Sequence, residues 1–400
     1  MIETDILIAG GGIAGMSAAA RFAADGHQIV IVDPAPADIG EGSDLRTTAF
    51  LEPGIATLTK AGVWDAIKPT GAELRVMRIV DAGGKTRTPR ETADFDGAET
   101  KQGFFGWNVS NKAARVALMA KLGQLENVDF RFSTTVTGFK NTARFADVTI
   151  SDDKSDDETI RAKVVIAADG RNSSLRDMAG IKHKRWAYDQ SAMVFVVTHD
   201  KPHDNISTEI HRTGGPLTLV PMPDLGGKPC SSVVWMTPAA RADDLNAMSN
   251  DALSAEITHD TMNLFGPLTV ASPRAVWPMI AQVPNRLIAA RLALIAEAAH
   301  VVPPIGAQGL NMSLHDIETL ADLMAKAKFH GQDIGATPLL KSYERRQLPK
   351  TLARVGGIDL LNRASMLEPK PLRDLRYAGL SAINRIGPLR KFAIKVGIGK

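Results

Sequence analysis

The chain has 400 residues, 44% of them hydrophobic and 23% charged, with a formal net charge of +3. These values suit an ordinary globular enzyme with one large domain and a second substantial lobe. The single cysteine, Cys230, excludes an intrachain disulfide and a cysteine metal cluster, and no run of eighteen uninterrupted apolar residues is present to span a bilayer. A strand beginning by Thr4 leaves no room for a signal peptide, so a reducing, cytoplasmic setting is expected. The charge is uneven: residues 341–400 carry 14 Lys+Arg against 4 Asp+Glu, a net of +10, which leaves −7 on the first 340. A basic tail on an acidic body can dock on anionic lipid, nucleic acid or an acidic partner.

In chain order, Thr4–Ala9 predicts a strand, Ile13–Ala24 an Ala- and Met-rich helix, and Gln28–Asp33 a second β-branched strand. Leu74–Val80 alternates, and Asp81-Ala82-Gly83-Gly84 predicts a hairpin turn. Val128–Phe132, Ala146–Ile150 and Ile160–Ala168 suggest a small β-meander, with Ser151–Glu158 as a solvated acidic loop. Met193–Val197, Thr208–Ile210, Leu217–Val220 and Ser231–Met236 predict a separate sheet. Arg286–Ile295 is an apolar strand candidate and Gly309–Ala325 a helix. The last sixty residues are mainly helical, punctuated by Pro369, Pro371 and Pro388.

Gly10, Gly12 and Gly15 form GxGxxG between the first strand and the first helix, and Asp33 ends the next strand. The glycines allow a tight turn, close approach of a pyrophosphate, and close helix–strand packing. Backbone N–H groups near Ile13 and Ala14 then face phosphates at a helix N-terminus, and Asp33 suits a ribose hydroxyl. This unit alone does not separate FAD from NAD.

A second constellation comprises Ala167-Ala168-Asp169-Gly170 with Arg171-Asn172-Ser173-Ser174. A third runs from Arg291 through Ala296-Glu297-Ala298-Ala299-His300 to Pro303-Pro304, Gly306 and Gly309-Leu310-Asn311. Asp44-Leu45-Arg46, Gly62-Val63-Trp64, Tyr188-Asp189-Gln190, Gly215-Pro216 and Pro221 accompany them. In this order the motifs resemble the class A FAD-dependent aromatic monooxygenases, and within them the ubiquinone-biosynthesis hydroxylases, over most of residues 4–360. The resemblance implies an α/β fold: a Rossmann-like FAD-binding domain with an inserted antiparallel β-sheet substrate domain and a helical C-terminus. The expected FAD-binding segments are 1–73, 101–180 and 278–340. The substrate segments are 74–100 and 181–277, and the helical region is 341–400.

The same resemblance implies FAD as cofactor, NAD(P)H as co-substrate and oxygen transfer to a phenolic ring, with a polyprenylated phenol as substrate. Arg46 is expected at the flavin end of FAD and Arg115 at its phosphate and ribityl region. Asp169 is expected near the pyrophosphate, serving nicotinamide-cofactor binding. Pro303, Gly309, Leu310 and Asn311 lead into a helix whose N–H groups face the flavin ring. Where the family has Gly-Asp, this chain has Ala296-Glu297; Glu297 keeps an acceptor for the ribityl chain, and Ala296 adds a methyl group at a close approach. No catalytic acid or base is assigned, since the cofactor carries the chemistry.

His199, His203 and His211 lack a metal-ligand spacing, and no metal is expected. Met193, Phe195 and Trp235 are candidates either for the roof of the flavin pocket or for plain core. In the tail, Leu389, Phe392, Ala393 and Val396 share one helical face, flanked by Arg390, Lys391 and Lys395, with Pro388 in the first turn. That helix reads either as an interfacial element at the inner face of a membrane or as a helix packed on the FAD domain. Membership of a biosynthetic complex is a further expectation, and no nucleic acid is expected as partner. The rival functions are hydroxylation of a small soluble aromatic and a non-catalytic FAD-binding scaffold.

Overall fold

A computed structural model describes residues 2–38, 44–82, 88–152, 155–212, 214–366 and 370–397, and three sheets carry the fold. The chain opens with β1 (Ile2–Ala9), α1 (Ile13–Ala24) and β2 (Ile29–Val32), the helix coinciding with its Ala- and Met-rich run. It continues through β3 (Thr47–Leu51), α2 (Glu52–Lys60), α3 (Trp64–Ile67), β4 (Ala72–Leu74), β5 (Val76–Asp81), β6 (Glu91–Asp96) and β7 (Gly106–Ser110). Next come α4 (Asn111–Leu122), β8 (Val128–Arg131), β9 (Thr134–Asn141), β10 (Ala146–Asp152), β11 (Ser155–Ala167) and α5 (Ser174–Met178). The long strands β12 (His183–His199), β13 (Ile206–Arg212), β14 (Gly215–Leu225) and β15 (Lys228–Pro238) precede α6 (Ala239–Ala247), α7 (Asn250–Asp260), β16 (Leu268–Val270) and β17 (Ala275–Pro284). Last are β18 (Ile288–Ala289), β19 (Leu292–Leu294), α8 (Ala296–Ala299), α9 (Gln308–Phe329), α10 (Thr337–Ser365), α11 (Lys370–Arg385) and α12 (Gly387–Gly397).

The first sheet has the order β18-β19-β11-β1-β2-β8, and β1 lies between parallel partners. Helices cover it, so Ile6, Leu7 and Ile8 are all fully buried and the strand reads as an unbroken apolar run. Three sequence expectations change here. Val128–Phe132 does not start a meander: β8 pairs in parallel with β2, and the antiparallel meander is β9-β10-β11. A strand's own pattern does not name its partner across a crossover. The acidic Ser151–Glu158 segment is mostly the tip of the β10–β11 hairpin, with Asp152 opposite Ser155; residues 153–154 lie outside the described residues. Arg286–Ile295 is a tight hairpin, β18–β19, and not one strand. Arg291 sits in the left-handed region at φ 63°, and its guanidinium donates to the Lys163 carbonyl (3.2 Å) and to Asp333 (2.8 Å), fixing the turn.

The second sheet runs β16-β12-β15-β14-β13-β5-β6, with β17 also on β12; β5 and β13 are parallel and the remaining pairs antiparallel. The alternating run Leu74–Val80 is divided: Leu74 ends β4 in the third sheet (β3-β7-β4), while β5 joins the second. The predicted turn follows β5, but Gly83 and Gly84 lie outside the described residues. One face of the second sheet is closed by α6 and α7. There Met193, Phe195 and Trp235 pack with Leu245, Leu253 and Ile257, so these three are core and not pocket roof. The opposite face, carrying Thr218, Val220 and Val234, looks into a large cavity.

α10 docks on β12 through Asp359. Its Oδ1 accepts from the Tyr188 hydroxyl (2.6 Å) and from Trp186 Nε1 (2.9 Å), and its Oδ2 accepts from Arg363 (2.9 Å). The tail helices lie on the second sheet at β6, where Leu380 and Ile394 are buried with Phe95 and Phe105, and α12 also meets the start of α9, where Gln308 Nε2 donates to the Gly397 carbonyl at 3.0 Å. Arg390 is committed here, donating to Glu99 (2.6 Å) and to the Asp94 carbonyl (2.5 Å), with its guanidinium 5.2 Å from the Phe95 ring centre. Pro388 stands in the first turn of α12 as its sequence suggests, and Pro371 is the second residue of α11. Pro369 and the side chains of Phe392, Lys395 and Val396 lie outside the described residues.

Candidate functional site

The sheets and α9 enclose a cavity of about 2030 Å³. Pockets for drug-sized ligands run to roughly 1,000 Å³, so this one has room for a dinucleotide and a second molecule. One end is built from the turn between β1 and α1, where the three glycines serve separate purposes. A Cβ on Gly10 (φ 107°) would lie 2.2 Å from the Ala168 carbonyl oxygen, and one on Gly15 would lie 1.8 Å from the Gly10 carbonyl oxygen. Both positions are closed by backbone. A Cβ on Gly12 would meet nothing within 4 Å, because that position opens onto the cavity beside Ile13 and Ala14. Asp33 organises this turn: Oδ2 accepts from the Gly11 N–H and Oδ1 from the Ala35 N–H (2.7 Å). Ala37 and Asp38, just beyond it, line the cavity.

Arg115, on α4, donates from Nη1 to the Gly11 carbonyl at 2.9 Å. Its Nη2 is buried with no partner among the described residues, a costly arrangement unless an anion is the intended acceptor. Asp169 accepts the Leu175 N–H on Oδ2 (3.2 Å), while its Oδ1 is buried without a partner among the described residues. Ala168, Gly170 and Arg171 line the cavity on either side of it.

Arg46 and Trp277 both line the cavity, with the guanidinium 5.5 Å from the ring centre. Arg46 forms a two-point pair with Asp44 (2.8 Å for each bond), and Asp44 also accepts from Asn111 Nδ2 (2.9 Å). Burial alone would raise the Asp44 carboxyl, but Arg46 and Asn111 outweigh it and hold the group below the usual carboxylate range. The Asp44 hydrogen bond in turn raises Arg46. Glu297 accepts from Arg171 Nε at 3.1 Å, and both residues line the cavity. Ala296 before it has φ 56°, a left-handed conformation that favours glycine.

The far wall is Pro303 and the start of α9. Ala307, left-handed at φ 55°, precedes the helix without a side-chain cap, so the first-turn N–H groups at Gln308, Gly309 and Leu310 have no helical acceptor and stand at the cavity wall. Asn311 has a different place from the other three. Its Oδ1 accepts from the Leu51 N–H (2.9 Å), and its Nδ2 donates to the carbonyls of Ala49 (2.8 Å) and Ala307 (2.7 Å). Its side chain therefore staples β3 to α9.

Sequence reasoning passed over two groups. His300 lines the cavity and pairs through Nε2 with buried Asp316 at 2.8 Å, leaving Nδ1 buried without a partner among the described residues. The Ala-Ala-His run pointed to it, but Asp316 lies sixteen residues away on another helix. His315, Lys350 and Arg354 also line the cavity, and Lys350 Nζ is 3.3 Å from His315 Nε2. The i, i+4 spacing of Lys350 and Arg354 was readable; the pairing of α10 with α9 was not. Among the other histidines, His199 and His203 pack ring to ring at 6.1 Å, and His211 contacts Glu209 at 2.6 Å.

Residues 3–355 match the FAD binding domain family. The chain is 30% identical over 397 residues to the ubiquinone hydroxylase UbiL of Rhodospirillum rubrum, covering 99% of this chain and 89% of that one. It is 29% identical to the 3-demethoxyubiquinol 3-hydroxylase of Escherichia coli, covering 99% and 98%. Among solved structures, p-nitrophenol 4-monooxygenase PnpA from Pseudomonas putida superposes with a TM-score of 0.81 at 18% identity, covering 100% and 98%, a likeness of fold.

Proposed function

The chain belongs to the FAD binding domain family, in its ubiquinone-hydroxylase branch, and on that premise we propose that it hydroxylates the phenolic ring of a prenylated ubiquinone precursor. It is an FAD-dependent monooxygenase; NAD(P)H is the proposed electron donor and O2 the oxygen source. The observation that carries the substrate reading is the cavity itself. A dinucleotide-shaped end at Gly12 and Arg115 is continuous with an apolar space under the second sheet.

The residues present fit FAD. The opening at Gly12 accommodates a pyrophosphate beside the first turn of α1, and the spare Arg115 Nη2 is a charged donor for it. Arg46 and Glu297 are the proposed contacts further along, Arg46 toward the ring and Glu297 toward the ribityl chain. Asp169 is placed to order the Ala168–Arg171 loop beside the pyrophosphate. The unpaired N–H groups of Gly309 and Leu310 offer partial positive charge to the ring. When bound, FAD supplies acceptance of reducing equivalents from the nicotinamide nucleotide and activation of O2. The protein's part is orientation and exclusion of water: Val220, Val234 and Trp277 give the ring of the substrate an apolar enclosure.

No described helix is long and apolar enough to cross a membrane. The proposed meeting place with a lipid-soluble substrate is the membrane surface on its inner side, a reading supported by Leu361 and Leu389, which are exposed and also line the cavity. The test is oxidation of NADH and NADPH by the FAD-loaded protein with a prenylated phenol and with small soluble phenols, with products identified by mass. A gain of one oxygen by the prenylated ring is expected. Hydroxylation of soluble phenols alone overturns the substrate, and oxidation without any oxygenated product overturns the activity.

A further inference from the structure

Beyond the ring-sized space, the cavity continues between the second sheet and the C-terminal helices. Its sheet side presents Met77 and Ile79 from β5 and Phe95 from β6; its helix side presents Ile383 from α11 and Ala393 and Ile394 from α12. These six residues belong to one apolar cluster that continues into the packing of the tail. Near its outer limit, Leu361 on α10 and Leu389 on α12 line the same cavity although 59% and 43% exposed, so the cavity reaches solvent past an apolar rim. Ser207 and Glu209 of β13 line the cavity beside Met77 and Ile79, but the side of this arm formed by α11 and α12 is apolar, and a hydrocarbon occupant lying along it recovers the transfer free energy. The helix wall is tied in place at polar points outside the arm: Arg390 to Glu99 at 2.6 Å and Asn384 Nδ2 to Glu91 at 3.2 Å.

We propose that this arm binds the hydrocarbon chain of the substrate, so that α11 and α12 are specificity elements and Ile383 and Ala393 set which chain lengths are accepted. The proposal rests on the hydroxylase reading to the extent that the chain hangs from the phenolic ring. The open rim at Leu361 and Leu389 suits a flexible chain that extends past the protein surface.

The experiment measures binding of phenols carrying zero to several isoprene units to the FAD-loaded protein, from the perturbation of flavin absorbance, and then their turnover. In the wild type, affinity is expected to rise at least about tenfold from the chainless ring to the chain-bearing one. Ala393→Phe on α12 and Ile383→Phe on α11 fill the arm independently and should bring that ratio close to one. Phe329→Ala, on the exposed far end of α9, is the control that keeps the wild-type ratio. Melting temperature and FAD content identify a variant that has lost its fold, and the variant on the other helix then decides. The arm is not the chain site if both folded variants keep the wild-type ratio, or if the wild type binds and hydroxylates rings regardless of chain. If the wild type neither binds nor hydroxylates any of the phenols, it is the hydroxylase reading that fails.

Discussion

Arg115 reaches across from α4 to donate to the Gly11 carbonyl at 2.9 Å, which leaves its second guanidinium nitrogen buried beside the dinucleotide end of the cavity. One side chain thus holds the glycine turn and offers a donor to whatever fills it. Replacing Arg115 with Met should weaken FAD binding by about 1.5–3 kcal/mol, the range for a hydrogen bond to a charged group. Titration of the apoprotein with FAD measures it, and unchanged affinity would place the nitrogen away from the phosphates.

Gly12 and Gly15 should part company on substitution. A Cβ at Gly12 would meet no protein atom within 4 Å, so Gly12→Val should fold with a near-normal melting temperature and yet fail to retain flavin. The backbone blocks any side chain at Gly15, so Gly15→Val should lose the fold as well. Circular dichroism and flavin content together check the pair; a yellow Gly12→Val protein would contradict the placement.

Ala296 occupies a left-handed conformation at φ 56°, which favours glycine. Ala296→Gly should stabilise the protein by about 1 kcal/mol, less whatever the more flexible unfolded chain takes back. Chemical denaturation is the measurement, and a destabilised variant would mean that the methyl group is packed and not strained.

Arg390 should behave as a structural clamp. Its contacts with Glu99, Asp94 and Phe95 leave it little freedom to meet lipid, so Arg390→Ala should raise hydrogen exchange and protease cleavage across α11 and α12. Unchanged protection there, with loss of binding to anionic vesicles, would return the residue to a membrane role.

Burial holds His199 below its usual pKa, in a site where Nε2 meets the Ser231 hydroxyl (2.9 Å) and Nδ1 meets the Lys201 carbonyl (2.7 Å). The folded pKa is below the unfolded one, so the unfolded chain takes up the proton first as pH falls. His199 therefore contributes stability above about pH 6.5 that declines on acidification toward its folded pKa. Melting temperatures at pH 7.5 and 5.5 should differ less in His199→Gln than in the wild type; equal differences would show that the ring is solvated.

Helix Ile13–Ala24 and the glycine turn were legible because their causes are local: a β-branched run, three glycines at fixed spacing, then an Ala-rich segment. The strands of the second sheet were visible for the same reason, but alternation tells only that Val234 and Trp235 face opposite ways. Which face meets helices and which meets the cavity depends on α6 and α7, placed by the chain after the strand. β8 was misassigned because its partner β2 lies about a hundred residues earlier. Arg291 turns the chain in a backbone region where sequence patterns lead one to look for glycine. The tail's charge was plain, yet the acidic partner of Arg390 stands 291 positions away. For the candidate site, Gly12, Ile13, Ala14 and Arg46, which line the cavity, stand in motifs readable in the sequence. The inward separation of Gly309 and Leu310 from Asn311 followed only from the rotation of α9.

The staple between Leu51 and Asn311 joins residues 260 positions apart. At ribosomal speeds of roughly 5–20 residues per second, the earlier partner waits about 13–50 s for the later one to be made. Through much of that interval β1 lacks β11, and once β11 is made it in turn lacks β19 until residue 294. Nascent chains of this protein thus carry apolar, unpaired parallel edges until synthesis is three-quarters done. Production of soluble protein should accordingly respond to chaperone supply and to growth temperature more than to the stability of the finished fold.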